Sequence, residues 1–525
     1  MNSGPINSRA LTMIGMVLLG CLGAILAGRM VAQGSFKPLI LGGTAFIAMV
    51  SLLGVGKSYW MLIPLSSTLT GSLAFLPLPF SVAELGILAA FGMFLVYTAF
   101  KRTKFTSSLD WLDFFLAINV AYIAFTYLKN PVGLNFMGSD VVGGRPYFSI
   151  LIALLGYIVM RQADAPSKVL FWLPALIIFP NLIVGILNIV VQLVPGVGRL
   201  VFPIYTGISI EDVVAVQQSG PTDEGRLFSL GSLGITIIQA LCSYFPPATF
   251  FHPSRFLGLG ALALAYLLIG LSGFRSAIMA STAYVLISTV LRRRFKDLYI
   301  LGFVGVVLAL VLAGLNAGGV SLPFSIQRAF SFLPLGWSER VVQVAESSTD
   351  WRVKMWKEAL TSNRIIADKI YGDGFGFSRA DMNAWTTQLM TGSSGIIGAS
   401  DEELFMIRGA FHSGPVSSIK YVGYIGLVLV FLLQTYFARH SWKLYRKVEG
   451  TKLAPMGIFV ASWGVYTLFE FYFIFGAYNN YIVDVFLYAG FVKLTERSYS
   501  AMKSEKTAMR EIDASHPISP QISLS

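Results

Sequence analysis

Charge is scarce in this chain. Lys, Arg, Asp and Glu supply 13% of its 525 residues, about half the share of a soluble domain. That deficit excludes a water-solvated globule and calls for a bilayer as solvent. Cysteine occurs twice, as Cys21 and Cys242, each inside an apolar run, so no structural disulfide is expected and the redox compartment is left open. No lipidation motif and no defensible internal repeat is present. The glycines of Tyr371-Gly372-Asp373-Gly374-Phe375-Gly376 are followed by no Gly-Lys-Ser/Thr and preceded by no strand, so they form a turn and not a phosphate-binding P-loop. The net charge of +12 is no nucleic-acid footprint, because the Lys and Arg fall mainly in short connections between apolar runs, where they set orientation.

Apolar runs dominate what remains. They lie near 11–28, 38–55, 59–76, 81–100, 110–128, 147–160, 168–194, 229–250, 256–272, 276–291, 298–315, 421–438, 454–475 and 481–493. At the ~20-residue requirement this predicts an all-α polytopic membrane protein of about 12–14 transmembrane helices. The run at 11–28 follows Arg9 and resembles a signal peptide, but the many later spans make it a retained first span. Four regions follow: transmembrane helices over 1–314, a large loop over 315–420, further transmembrane helices over 421–495, and a polar tail over 496–525, expected to be disordered.

Three basic segments fix the orientation: Lys101-Arg102-Lys104, Arg292-Arg293-Arg294 with Lys296, and Arg439, Lys443, Arg446 and Lys447. An even number of spans separates each pair, so all three belong on the cytoplasmic side, with both termini. The segments 129–146, 195–228, 272–276 and the long loop are then outside. A loop of roughly 100 residues far exceeds an ordinary connection and is expected to be folded and functional. Within it, Trp351, Met355, Trp356 and Leu360 suit an amphipathic helix with Asp350 as N-cap, either lying on the outer leaflet or packed on its own domain.

Outer segments deliver a basic residue to a span end three times: Arg226 in Gly225-Arg226-Leu227-Phe228, Arg275 in Ser272-Gly273-Phe274-Arg275-Ser276, and His412 in Phe411-His412-Ser413. Arginine's planar fork suits phosphate and keeps its charge. Histidine accepts or relays a proton near neutrality. Snorkelling anchors and a structural histidine are the plainer alternatives. Arg145, in Gly143-Gly144-Arg145-Pro146, is a further phosphate candidate or part of a turn. Asp401-Glu402-Glu403 reads as a solvated helix start, since no partner ligands stand at metal spacing. Glu470 and Asp484 lie in the outer halves of the last two spans. They are expected to be paired, in a structural ion pair or with the arginines, or to serve as a base.

These segments resemble the O-antigen ligase and O-antigen polymerase superfamily of bacterial inner-membrane proteins. The resemblance rests on the Ser272 to Ser276 turn, on Arg226 opening a span, and on Arg352 and Trp356 followed by the Gly372 to Gly376 turn. It rests also on His412-Ser413, nine residues, then Gly423-Tyr424-Ile425-Gly426. Phe274 before Arg275, and the lack of a Pro-Asn pair after Arg226, depart from the pattern. The resemblance implies a glycosyltransferase, without cofactor, that uses a polyprenyl-diphosphate-linked glycan at the periplasmic face of the inner membrane. The acceptor would be lipid A–core for a ligase or a second lipid-linked glycan for a polymerase; the His412 spacing leans to the ligase. Arg226 and Arg275, with Arg145, would hold the donor pyrophosphate, and His412 would orient or deprotonate the acceptor hydroxyl. Residues 29–37 carry no acidic side chain, unlike the first outer loop of many lipid-donor glycosyltransferases, so activity without a metal is expected. A transporter or flippase for such lipids, or a non-catalytic membrane partner, is the rival from another class.

Overall fold

The computed structural model describes residues 56–76, 78, 80–100, 108–132, 144–208, 227–320, 322–363, 365–376, 406 and 409–515; side chains are described as far as 508, apart from 195 and 506. Trp60–Ser525 forms one compact unit, and that unit is the subject below. Among the described residues helix is the only extended regular structure, beside the isolated bridges Ser72↔Ser81 and Leu73↔Tyr205.

Twelve long helices are present among the described residues: α1 Val82–Ala99, α2 Trp111–Lys129, α3 Arg145–Gln162, α4 Ser167–Leu193, α5 Phe228–Tyr244, α6 Phe256–Leu271, α7 Arg275–Leu291, α8 Phe295–Ala317, α9 Glu339–Thr361, α10 Gly414–Val448, α11 Ala454–Phe473 and α12 Tyr478–Ser515. Seven of them, α1, α2, α4, α6, α8, α10 and α11, are long and apolar enough to cross a membrane, while α5 and α7 are shorter and apolar. The chain is an all-α polytopic membrane protein.

Local chemistry sets the ends. Ser81 and Glu84 close a capping box on α1, and Asp110 and Asp113 close one on α2, satisfying amide groups that a helix start leaves open. Proline stands in the first turn of α3, α10 and α11, where its missing N–H costs nothing. The central packing joins α12 to α3, α10 to α11 and α2, α5 to α6 and α4, and α7 to α11. On α8 only Leu312 is buried, so this helix lies at the periphery and turns its apolar surface outward.

Several expected spans differ from the structure. The run at 59–76 is not one helix: Leu62–Ser66 is a single short one. Ser66 and Ser67 turn their hydroxyls back onto the carbonyls of Leu62 and Pro64, and the chain bends through Gly71 toward the bridges at Ser72 and Leu73. The run at 229–250 breaks at Tyr244, because Pro246 and Pro247 follow and start a short 3-10 helix. The tail expected to be disordered from 496 instead continues α12 as far as Ser515; its side chains Arg497 and Ser498 hold Asp164 and the Ala165 carbonyl. Residues 11–28 and 38–55 lie outside the described residues.

The unit has two chemically distinct ends. At one, the Arg292 guanidinium donates to the Cys242 and Ser243 carbonyls. Leu291 and Tyr445 share a small apolar cluster with Ile458 and Ala461, Arg161 pairs with Asp113, and Lys493 pairs with Asp110. Two of the three basic segments thus share one end, as the parity of spans requires; the third, at 101–104, lies outside the described residues. At the other end α7 and α10 begin, α2 and α11 finish, and the described part of 315–420 packs onto them.

Candidate functional site

α9 is the element that gathers the site. It starts at Glu339, after Ser338, well before the Asp350 expected as its N-cap. Of the two settings left open for it, the structure has it packed on its own domain: Met355 and Ala359 are buried with Ile365, Ile366, Met406, Phe411, Val416 and Ile419, and Trp351, Trp356 and Leu360 lie against that cluster. Its amphipathic stripe covers a small core.

The Ser272-Gly273-Phe274 turn brings Arg275 to α9. Ser272 is fully buried, its hydroxyl donates to the Ile269 carbonyl at 2.6 Å, and its carbonyl accepts from the Leu227 amide at 3.3 Å. Gly273 has φ +72°, a conformation that favours glycine. Arg275, the first residue of α7, then reaches α9: Nη2 donates to the Ala345 carbonyl at 2.8 Å and to Thr349 Oγ1 at 3.4 Å. One turn further along α9 lies Arg352. Burial pulls its guanidinium below its usual range, and the positive charge of Arg275 adds to the effect. Buried Arg352 Nε has no hydrogen-bond partner, and no ion pair joins either arginine to a carboxylate among the described residues. Two guanidinium groups held together with no described acid beside them form a site that an anion would complete.

His412 stands at the far end of the same stretch of α9. Trp356 Nε1 donates to the Phe411 carbonyl at 2.6 Å, and Phe411 is fully buried. The His412 ring is 5.9 Å from the Trp351 ring and 5.1 Å from that of Phe475. Its φ is +53°, the left-handed region that a non-glycine residue adopts at a cost of about 1–2 kcal/mol. From Ala345 to Trp356 is on the order of 15 Å along a helix, so Arg275, Arg352 and His412 meet one face-and-flank of α9 within that length.

The remaining expected residues are placed elsewhere or not described. Arg226, like Asp401, Glu402 and Glu403, lies outside the described residues; Leu227 beside it is hydrogen-bonded to Ser272, as above. Arg145 pairs with Glu84 in a buried setting that also holds Ser149 and the Phe80 ring. Its charge is answered by Glu84, and no described contact joins it to α9. Glu470 and Asp484 form no ion pair among the described residues, which corrects the expected structural pair: Glu470 of α11 is hydrogen-bonded to Tyr466, and its charge acts on Asp484 of α12.

The Gly372 to Gly376 turn does more than reverse the chain. α10 breaks at Gly423, with φ +66°, and the turn fills the break. The Asp373 and Gly374 amides donate to the Lys420 and Tyr421 carbonyls, and the Tyr424 and Ile425 amides donate to the Lys369 and Ile370 carbonyls, at 2.8–3.3 Å. A Cβ on Gly372 would lie 2.6 Å from the Gly423 nitrogen and the Tyr421 oxygen. Phe375 stacks on Tyr421 with centroids 4.7 Å apart. Asp368, which Lys129 holds below the usual carboxylate range by hydrogen bonding, ties the turn to the end of α2.

Among the described residues, one group has metal-ligand character: Asp110, His440 and Glu496, at the opposite end. Lys493 pairs with Asp110 and lies 3.7 Å from Glu496, so an ammonium already takes the cation position and the donor set does not fit a metal. Comparison with protein-family models finds no match, and a search of curated proteins finds none either.

Proposed function

We propose that this chain transfers a polyprenyl-diphosphate-linked glycan to an acceptor sugar hydroxyl at the periplasmic face of a bacterial inner membrane, as an O-antigen ligase-like enzyme. One observation carries the reading: a single helix, α9, holds two guanidinium groups that no described carboxylate pairs with, beside a left-handed histidine. The leaving group of such a transfer is a diphosphate whose negative charge grows as the glycosidic bond breaks, and paired guanidiniums aimed at that charge lower the barrier. The His412 imidazole, held between two aromatic rings, serves the other partner by taking the proton of the acceptor hydroxyl. Both chemistries then lie on the end of the bundle away from the two described basic segments, the end that would meet a lipid-linked glycan in this reading.

Purified protein incubated with a polyprenyl-diphosphate oligosaccharide tests the reading, with lipid A–core and a second lipid-linked repeat as alternative acceptors. One glycan added to lipid A–core identifies a ligase, and a ladder of lengthening lipid-linked chains a polymerase. Arg275→Ala and His412→Ala should each lower turnover by at least a hundredfold, roughly the share of one electrostatic or acid–base contribution. Product that forms undiminished in both variants would overturn the assignment.

A further inference from the structure

Beneath His412 the bundle holds a polar cleft that the reaction above does not account for. α12 is buried on most sides against α3, α10, α11 and α4, yet Asn480 and Asp484 are exposed. They stand one helical turn apart on one stripe, and the next positions on that stripe close down: Tyr488 is half-buried and Phe491 and Val492 are buried. A lipid-facing stripe would stay open along its length and would be apolar. This one carries an amide, a carboxylate and a phenol, and it tapers inward from the α9 end. Its floor is aromatic: Trp463 of α11 stacks on Tyr488 with centroids 3.8 Å apart and planes 7° from parallel.

The opposite wall belongs to α11. Glu470 is half-buried, hydrogen-bonded to Tyr466, and electrostatically coupled to Asp484. The Phe475 amide donates to the Glu470 carbonyl at 2.9 Å, and the Phe475 ring touches His412, so Glu470 lies about one helical turn below the histidine. Behind the wall stand polar atoms with few partners. Gln434 of α10 is 1% exposed and has Tyr481 against its amide, and the buried Tyr472 hydroxyl has no hydrogen-bond partner among the described residues. Tyr481 connects them to the cleft, since its hydroxyl lies against Gln434 and feels both Tyr472 and Asp484. Buried polar groups ordinarily have their hydrogen-bonding capacity filled, and this cluster, beside two carboxylates that no described cation pairs with, suits a ligand rich in both donors and acceptors.

We infer that this cleft is a saccharide subsite, with Asp484 and Glu470 accepting hydrogen bonds from sugar hydroxyls and the half-buried Tyr488, backed by Trp463, offering an aromatic floor. Carboxylates accept two hydroxyl donors each, amides offer a donor and an acceptor, and flat rings suit the C–H face of a pyranose. The inference rests on the function proposed above: a sugar joined to a diphosphate at the Arg275–Arg352 rim is the part that enters the space below it. The cleft recognises the glycan, while the rim recognises the diphosphate.

Binding of three lipids to the full-length protein in nanodiscs tests this: undecaprenyl diphosphate, and the same lipid carrying a single N-acetylglucosamine or a single galactose. Wild-type protein should bind at least one sugar-bearing lipid about tenfold or more tighter than the bare lipid, the worth of one or two charged hydrogen bonds. Asp484→Ala and Glu470→Ala should erase that preference and leave bare-lipid affinity within about twofold. Asp484→Asn, which keeps hydrogen-bonding capacity and the fold, should retain most of it. Equal wild-type affinity for all three lipids, or an Asp484→Ala loss shared equally by the bare lipid, or loss of the preference in Asp484→Asn, would overturn the subsite. Failure of the function itself shows differently, as no binding of any diphosphate lipid by wild-type protein, or bare-lipid binding indifferent to Arg275→Ala.

Discussion

Arg352 shows how one side chain can be costly to the fold and useful to the site. It is half-buried, its Nε has no partner, and Arg275 repels it. Removing a charge so placed relieves desolvation and repulsion together. Arg352→Ala should therefore raise the midpoint of thermal unfolding in detergent by a degree or more, while weakening the binding of bare undecaprenyl diphosphate about tenfold to a hundredfold. A variant both less stable and equally tight-binding would show Arg352 to be a structural residue. His412 is the counterpart in backbone terms, since its left-handed conformation stores strain at the residue expected to handle a proton.

At the scale of elements, the joint between the Gly372 turn and the break in α10 decides whether His412 is held in place. Gly423 and Gly372 both have positive φ, and each lies where a side chain would strike the other's backbone. Gly423→Ala and Gly372→Ala should each cost at least about 2–3 kcal/mol, from the conformational penalty plus displacement of the facing backbone. The double variant should cost less than the sum, because both remove one contact. Thermal unfolding of the single and double variants measures this. Much of this level was readable in the chain. The apolar runs gave most helix positions, parity put the basic segments at 292–296 and 439–447 on one end, and the spacing from His412 to Gly423 marked a feature that proved to be the break. The joint itself was not readable, because an apolar run interrupted by one glycine has the same hydropathy as an unbroken helix. Nor was the role of α9: its contacts with Arg275 and with Phe411 join residues some 55–70 apart in the chain, and only tertiary packing sets them. Asp484 read as one of a pair because a carboxylate in an apolar run ordinarily is, and nothing in the spacing announced a cleft.

Across the whole molecule, the end away from α9 is tied by a shared ion network. Asp110 pairs with Lys493, Asp113 with Arg161 and Tyr157, and His440 with Glu496, which draws the starts or finishes of α2, α3, α10 and the middle of α12 together. Burial works to raise the Asp110 carboxyl, but the Lys493 hydrogen bond and charge outweigh it and hold it at about 2 against its ordinary 3.8. A carboxyl lowered on folding adds stability that is fully present above its unfolded value and lost as the pH falls through its folded one. Wild-type protein should thus lose an increment of about 1 kcal/mol, discounted for the solvent that screens a part-exposed pair, as the pH falls from about 4 toward 2. Asp110→Asn should lack that increment at neutral pH, so the two unfolding midpoints should converge in acid; a gap that persists unchanged to pH 2 would contradict the assignment. The joint at Gly423 has a consequence for biogenesis. The amides of Tyr424 and Ile425 find their acceptors on Lys369 and Ile370, in a segment synthesised before α10. Membrane hydrocarbon supplies no substitute acceptor. The preceding loop must therefore have crossed and folded by the time α10 settles, and a nascent chain in which it has not would carry open amides at the head of a membrane helix, a mark by which quality-control machinery can tell the unfinished protein from the finished one.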